Sequence, residues 1–241
     1  MPVTGMLASV QDVAEARVVL AAGVDLIDLK NPSTGALGAL DEDVLRDIVR
    51  FVDGRRPVSA TIGDLPCETG ILGEAIGRTA ACGVDLIKVG IFASRVDDGT
   101  RCLLKRHCAA GDRIILVFFA EYWRDGADFR RLAQAGVEGV MLDTADKGAG
   151  PLTKRMDIPA LRSFVTGARD VGLLAGLAGS LSTADVHRLL PLQPDYLGFR
   201  GALCPAGRRG GDIDARAVGA IRELLAGDAL SPDGAIAPAA A

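Results

Sequence analysis

Three copies of a short sequence place the strongest limit on the fold of this 241-residue chain. Glycine, valine and an acidic residue follow one another at 23–25, 83–85 and 136–138, each time between an amphipathic stretch and an apolar one. Glycine is the residue that most easily adopts the left-handed conformation found at helix C-termini. Each copy therefore predicts the end of a helix and the start of a strand, which is the joint of a repeating β/α unit.

Eight short apolar runs recur along the chain at the intervals expected for such units. Their length and composition favour strands that are buried on both faces. The predicted strands cover residues 5–10, 25–30, 58–63, 85–90, 113–120, 139–144, 173–180 and 196–201. The amphipathic stretches predict helices at residues 11–22, 41–52, 161–171, 182–190 and 213–226. Ser182 and Asp212 have the side chains expected of helix N-caps.

Eight repeats of strand and helix favour an α/β fold, a single-domain (β/α)₈ TIM barrel formed by residues 1–226. An open, doubly wound sheet is the alternative, although no GxGxxG sequence follows the first strand. Residues 227–241 show no periodicity, and we expect a disordered C-terminal tail there.

Composition excludes several classes of function. The net charge of −4 and the 4% of aromatic residues offer no basic or stacking surface for nucleic acid. The longest apolar run, residues 114–120, is too short to cross a membrane, and the N-terminus does not resemble a signal peptide. We therefore expect a cytoplasmic protein whose five cysteines are reduced. Cys102, His107 and Cys108 lie close together, but their spacing is poor for metal binding, and no metal is expected.

The scarcity of lysine draws attention to the lysines that remain. Of 27 basic residues only five are lysines, at positions 30, 88, 105, 147 and 154. Arginine stays protonated, whereas lysine can lose its proton and act as a nucleophile or a base.

Several of these lysines fall at the C-terminal ends of predicted strands, where TIM barrels carry their catalytic groups. Asp28 and Lys30 share one face of the second strand, because side chains alternate along a strand. Lys88 lies on the fourth strand, and Asp143 ends the sixth, with Lys147 just beyond it. Alternate strands fill one layer of a barrel interior, so we expect these residues to converge. The alternative is an ion-pair network that only fills the barrel end.

Two amines beside two carboxylates suit chemistry on an aldehyde or ketone. A lysine near other cations in a dry pocket has a lowered pKa, and its neutral amine can form a Schiff base with a carbonyl group. A second lysine can then move protons.

Polar groups on other strands are candidates for binding the substrate. In barrels of this kind a phosphate is commonly held after the seventh and eighth strands. The candidates for binding substrate or phosphate are Ser59, Thr61, Gly179, Ser180, Arg200 and Gly201.

Six motifs together resemble one enzyme family, in order and across nearly the whole chain to about residue 226. The motifs are DLKNPSTGALGA (28–39), SATIGDLP (59–66), LIKVG (86–90), MLDTADKG (141–148), LAGS (177–180) and GFRGALC (198–204). The resemblance is to the (5-formylfuran-3-yl)methyl phosphate synthases, which make the furan precursor of methanofuran or methylofuran, carriers of formyl groups in one-carbon metabolism.

The resemblance implies a TIM barrel that joins two glyceraldehyde 3-phosphate molecules and releases one phosphate and two waters. It implies a Schiff base at Lys30 and proton transfer at Lys88, supported by Asp28, Asp143 and Lys147, without a metal or an organic cofactor. The reasoning from residues alone leaves Lys88 open as the nucleophile. Three other functions also stay open: a class I aldolase, a sugar-phosphate epimerase and a non-catalytic phosphosugar sensor. A homo-oligomer is possible, and the roles of Glu121 and Tyr122 are not assigned.

Overall fold

A closed barrel of eight parallel strands forms the centre of the molecule. The structure, a computed structural model, describes residues 4–124 and 128–227. Neighbouring strands pair in sequence order, and the first strand also pairs with the last. The strands are β1 (Gly5–Val10), β2 (Leu26–Leu29), β3 (Val58–Thr61), β4 (Leu86–Ile91), β5 (Ile114–Phe119), β6 (Gly139–Asp143), β7 (Leu174–Leu177) and β8 (Tyr196–Phe199). The predicted TIM barrel is confirmed, and the open-sheet alternative is wrong.

Helices follow the strands and cover the outside of the barrel. They are α1 (Val13–Ala21), α2 (Glu42–Val52), α3 (Thr69–Ala80), α4 (Asp98–Ala109), α5 (Phe129–Gln134), α6 (Leu152–Arg155), α7 (Ile158–Arg169), α8 (Thr183–Leu189) and α9 (Ala215–Gly227). Among these helices, none combines the length and apolar character required to span a bilayer. Of the predicted tail, only Gly227 lies within the described residues, as the last residue of α9.

One of the two predicted N-caps is confirmed. Ser182 begins α8 with a reciprocal capping box in which Asp185 is the partner. Asp212 is not the cap of the last helix, because α9 begins two residues later than predicted. Asp214 occupies the capping position instead, and its carboxylate accepts a hydrogen bond from the Arg216 backbone N–H at 2.8 Å.

The glycines of the three repeats adopt the left-handed conformation that the sequence predicts. Their φ angles are +74° at Gly23, +83° at Gly83 and +84° at Gly136.

The acidic residues of the first two copies link neighbouring strands by hydrogen bonds. Asp25 accepts a hydrogen bond from the N–H of Met6, and Asp85 accepts one from the N–H of Val58, at 2.8 and 2.7 Å. Each aspartate thus ties its own strand to the preceding strand at the N-terminal end of the barrel.

The barrel interior changes from apolar to polar along its axis. Leucine, valine and methionine side chains fill the N-terminal half, while charged and hydroxyl side chains fill the C-terminal half. The apolar set is Leu7, Leu26, Leu86, Val117 and Met141. The buried polar set is Ser9, Asp28, Lys30, Ser59, Thr61, Lys88, Asp143 and Arg200. The polar half is where a TIM barrel places its active site.

Candidate active site

Asp28 lies at the centre of the polar half and is completely buried. Its carboxylate accepts hydrogen bonds from the hydroxyls of Ser9 and Ser59, at 2.8 and 2.7 Å. The amine of Lys88 lies 3.0 Å from Asp28 Oδ1. Burial alone would raise the pKa of Asp28, but the positive charges of Lys88 and Lys30 together with the hydrogen bonds lower it below its ordinary value. Asp28 is therefore ionised at neutral pH and holds Lys88 as an ion pair.

A second ion pair joins Asp143, the last residue of β6, to the segment that follows this strand. The amine of Lys147 contacts Asp143 Oδ1 at 2.5 Å, and the same oxygen accepts the Thr144 backbone N–H at 2.7 Å. Burial opposes ionisation of Asp143, but the charges of Lys147 and Lys30 outweigh it, so the pKa of Asp143 is also lowered. Each of the two buried carboxylates therefore has its own lysine.

Lys30 is the third lysine, and its amine has no carboxylate of its own. Its side chain is buried, with 6% of the residue exposed. The structure shows no ion pair or hydrogen bond between its amine and any residue in the described ranges. The pKa of Lys30 is lowered to about 8: burial is the largest cause, Lys147 and Lys88 act in the same direction, and Asp143 and Asp28 oppose it. At pH 7 roughly a tenth of such lysines are neutral, against roughly one in three thousand at the ordinary pKa.

A cavity of about 570 Å³ opens beside these groups. Its volume suits a small organic ligand. Lys30, Lys88, Asp143 and Lys147 line it. The segments after β7 and β8 also line it, with Gly179, Ser180, Ser182, Gly201, Arg208 and Arg209. Amines and arginines thus face one space.

Glycine at position 179 is required by the backbone. Its φ is +106°, and a Cβ atom there would lie 2.9 Å from the Thr144 backbone nitrogen. Any other residue would push the segment after β7 away from the segment after β6. This close approach brings Gly179 and Ser180 next to the Asp143–Lys147 pair.

Three of the residues predicted to bind substrate or phosphate have other partners in the structure. Ser59 and Thr61 are completely buried and do not line the cavity. Ser59 supports Asp28, and the Thr61 hydroxyl donates to the carbonyl of Gly38 at 2.9 Å. The guanidinium of Arg200 pairs with the buried carboxylate of Glu15. These three side chains support the site, since their polar atoms are already used within the protein.

The structure adds residues that the sequence analysis did not identify. Ser9 is the second hydroxyl that supports Asp28, and Arg208 and Arg209 are cavity-lining cations. Burial lowers the pKa of Arg209, as does Arg200, while Asp143 opposes the effect. The signal for the two arginines was the sequence Arg-Arg-Gly-Gly shortly after the last strand. A basic, glycine-rich segment at that position is typical of an anion-binding loop.

Glu121 also has a definite place, next to the site. Its carboxylate accepts the backbone N–H groups of Ala145 and Asp146, at 2.9 and 3.1 Å. It therefore fixes the segment between Asp143 and Lys147. Tyr122 is 41% exposed and contacts the ring of Phe92 edge-on, with 6.3 Å between the ring centres.

The cysteine–histidine group lies on or beside α4, outside the barrel. His107 Nδ1 lies 2.8 Å from Asp112 Oδ2, and Cys102 is exposed. Over residues 4–124 and 128–227, no group of three or more histidine, cysteine or acidic side chains could hold a metal ion. The expected absence of a metal stays a prediction.

The fold and the site define a TIM-barrel enzyme with three lysines at the C-terminal end of its barrel, two of them, Lys30 and Lys88, buried. The family model described as 4-HFC-P synthase matches residues 6–222. The (5-formylfuran-3-yl)methyl phosphate synthase of Methanothermobacter thermautotrophicus is 36% identical over 231 residues, which cover 91% of this chain and 98% of that protein. A Methylorubrum extorquens protein, provisionally named for the same activity, is 45% identical over 226 residues, 92% of each chain. The chain belongs to the (5-formylfuran-3-yl)methyl phosphate synthase family of enzymes, as the motifs predict.

Solved structures share the fold at much lower identity. Phosphoribosyl anthranilate isomerase from Thermus thermophilus gives a TM-score of 0.65 at 15% identity, covering 92% of this chain and 98% of that one. 3-Keto-L-gulonate-6-phosphate decarboxylase from Vibrio cholerae gives a TM-score of 0.65 at 14% identity, covering 95% of this chain and 100% of that one. At these identities the similarity shows the TIM-barrel fold alone.

The lowered pKa of Lys30 leads to a prediction about pH. Only the neutral amine attacks a carbonyl, so the initial rate of borohydride-trapped adduct formation should rise about tenfold per pH unit and level off above about 8. Lys147→Met removes a positive charge that lowers the pKa of Lys30. It also leaves Asp143, whose negative charge raises that pKa, without its ion-pair partner. Both effects have the same sign, so the variant's profile should move to higher pH. Mass spectrometry measures the rate of adduct formation at each pH. If the pH profiles of the parent and of Lys147→Met coincide, Lys30 does not set the pH dependence.

Proposed function

We propose that this protein joins two molecules of glyceraldehyde 3-phosphate into (5-formylfuran-3-yl)methyl phosphate through a Schiff base on Lys30. One observation carries the proposal: Lys30 is a buried amine without a carboxylate of its own, in a cavity whose other two lysines are ion-paired. The amine of Lys88 is held by Asp28 at 3.0 Å and is less available as a nucleophile. The geometry therefore favours Lys30 over Lys88, which residue reasoning alone left open.

The proposed reaction balances without an oxidant or a reductant. The Lys30 amine attacks a triose carbonyl, and loss of water leaves a protonated imine. The imine withdraws electrons from the neighbouring carbon, whose proton passes to a base, and that carbon then forms the new bond to the second triose. The two trioses supply all six carbons of the product. Loss of one phosphate and two waters in total, with lysine regenerated, leaves the furan aldehyde.

The ion pairs supply the groups that this sequence of steps needs. We assign proton transfer to Lys88, because its amine lines the cavity and Asp28 fixes its position. Lys147, held by Asp143, also lines the cavity, and we assign to it the protonation of a leaving oxygen. Both roles need a positioned N–H donor in a dry site, where charged hydrogen bonds are strong.

We assign a substrate phosphate to the part of the cavity lined by the segments after β7 and β8. Gly179, Ser180 and Gly201 allow close approach of backbone to an anion, and Arg208 and Arg209 supply positive charge. Of the six residues that the sequence predicts for this task, the proposal keeps these three. A cytoplasmic location and a role in making a methanofuran-type carrier complete the proposal.

Incubating the purified protein with glyceraldehyde 3-phosphate alone tests this function. We expect a product with the ultraviolet absorbance of a conjugated furan aldehyde and one inorganic phosphate released for every two trioses consumed. Mass spectrometry of the product should show a loss of one phosphate and two waters from the two substrates. A six-carbon sugar bisphosphate with no phosphate release would identify an aldolase instead. No consumption of substrate would favour a phosphosugar-binding protein.

A further inference from the structure

The buried guanidinium of Arg200 lies at the start of the segment that carries the cavity arginines. All five of its N–H bonds have acceptors. Two go to the carboxylate of Glu15, one of them at 3.0 Å, and one goes to the Ser9 carbonyl at 3.2 Å. The other two go to carbonyls farther along its own segment, those of Arg209 at 2.6 Å and Gly211 at 2.9 Å. This guanidinium therefore has no free donor for a substrate phosphate.

These contacts tie both ends of one loop to the barrel. The loop, residues 201–211, begins directly after Arg200 and returns to it, because the carbonyls at positions 209 and 211 accept its N–H groups. The thiol of Cys204 also donates to the Gly211 carbonyl at 3.1 Å. The loop contains two short 3₁₀ turns, Gly201–Leu203 and Pro205–Gly207, and no longer regular element. The hydrogen bonds to Arg200 therefore add to the local turns and join the two ends of the loop.

The hydrogen bonds between Arg200 and the loop orient Arg209. Its backbone carbonyl is held by Arg200, and its side chain lines the cavity and also donates to the Gly35 carbonyl at 3.2 Å. A residue whose backbone is fixed in this way loses little freedom when its side chain binds an anion.

We propose that the Glu15–Arg200 pair is a positioning unit, which holds the 201–211 loop so that Arg209 faces the phosphate of the substrate. Glu15 compensates the charge of the buried guanidinium and orients it, since an unpaired charge in this place would be strongly unfavourable. Arg200 acts through Arg209 and does not touch the substrate. The inference rests on the proposed function only in requiring that the cavity bind a phosphorylated compound.

Arg200→Lys tests this role, because lysine keeps the charge but has three donors on one atom and cannot reach all four partners. We expect the dissociation constant for inorganic phosphate to rise about tenfold, and KM for glyceraldehyde 3-phosphate to rise in parallel. kcat should change less than about threefold, and the Lys30 adduct at saturating substrate should stay unchanged. Arg222→Lys is the matched control. That arginine donates to the Gly23 carbonyl at the opposite end of the barrel, and its replacement should leave phosphate binding unchanged.

A double-mutant cycle separates positioning from general stabilisation. Arg209→Ala alone should weaken phosphate binding, and adding Arg200→Lys to it should change the dissociation constant less than about twofold. The proposal is overturned if the changes in the dissociation constant caused by the two substitutions multiply in the double variant. It is also overturned if Arg200→Lys leaves phosphate binding unchanged. If Arg200→Lys does not fold, Glu15→Asp, which keeps the charge and shortens the side chain, should show the same dependence on Arg209. Phosphate binding is measured without turnover, so these results stand even if no furan is formed.

Discussion

Lys30→Arg should abolish the borohydride-trapped adduct and lower turnover by at least ~10³-fold. Arginine preserves the positive charge, but its pKa leaves no neutral nitrogen to form an imine. The fold should persist, because the replacement keeps a cation beside Asp143 and Asp28, and the unfolding midpoint should stay within about 4 °C of the parent. Intact-mass and peptide mass spectrometry after borohydride treatment, together with thermal unfolding, measure these effects.

Lys105→Arg is the matched control for this experiment. Lys105 is exposed on α4, outside the barrel, and its replacement should change neither adduct nor turnover. A full adduct yield in Lys30→Arg would contradict the assignment. Mapping that adduct to Lys88 would make Lys88 the nucleophile.

Lys88→Arg should slow turnover by at least ~10²-fold and leave the Lys30 adduct in place. Arginine can still pair with the buried Asp28, so the site should remain folded, but it cannot cycle a proton at neutral pH. Rapid-quench measurement of the adduct alongside steady-state turnover distinguishes the two steps.

Lys88→Met provides the comparison that isolates the ion pair. Methionine fills a similar volume but leaves Asp28 buried without its cation, which costs about 3–5 kcal/mol when one partner of a buried pair is removed. This variant should therefore unfold at a clearly lower temperature, whereas Lys88→Arg should not. Near-normal turnover in Lys88→Arg would remove Lys88 from the mechanism, whatever the stability of Lys88→Met.

The sequence was sufficient for the barrel and its lysines because both follow from local rules. Strand alternation places Asp28 and Lys30 on one face, and the common layer of the even strands brings Lys88 and Asp143 towards them. Helix α3 was harder to predict, since it contains Gly70, Gly73 and Gly77, which lower helix propensity. Gly73 has a packing reason, because a Cβ atom there would lie 3.2 Å from Leu103 on α4.

The role of Arg200 could not be read from the sequence, because its partner is 185 positions away. An arginine after the last strand is compatible with phosphate binding or with a buried ion pair, and only the three-dimensional position of Glu15 distinguishes the two roles. Arg209 was missed for a related reason. Its approach to the cavity depends on how an irregular loop folds back, which hydrophobic periodicity does not encode.

The numbers of amines and carboxylates at the barrel mouth differ by one, with three lysines facing two aspartates. At pH 7 most of the Lys30 amine is protonated, so these five groups carry a charge close to +1, and a protonated imine on Lys30 would keep it. That charge would lie next to a substrate that brings its own negative phosphate. The positive charge would thus be present both before and after the covalent complex forms, which would favour capture of phosphorylated aldehydes over uncharged ones.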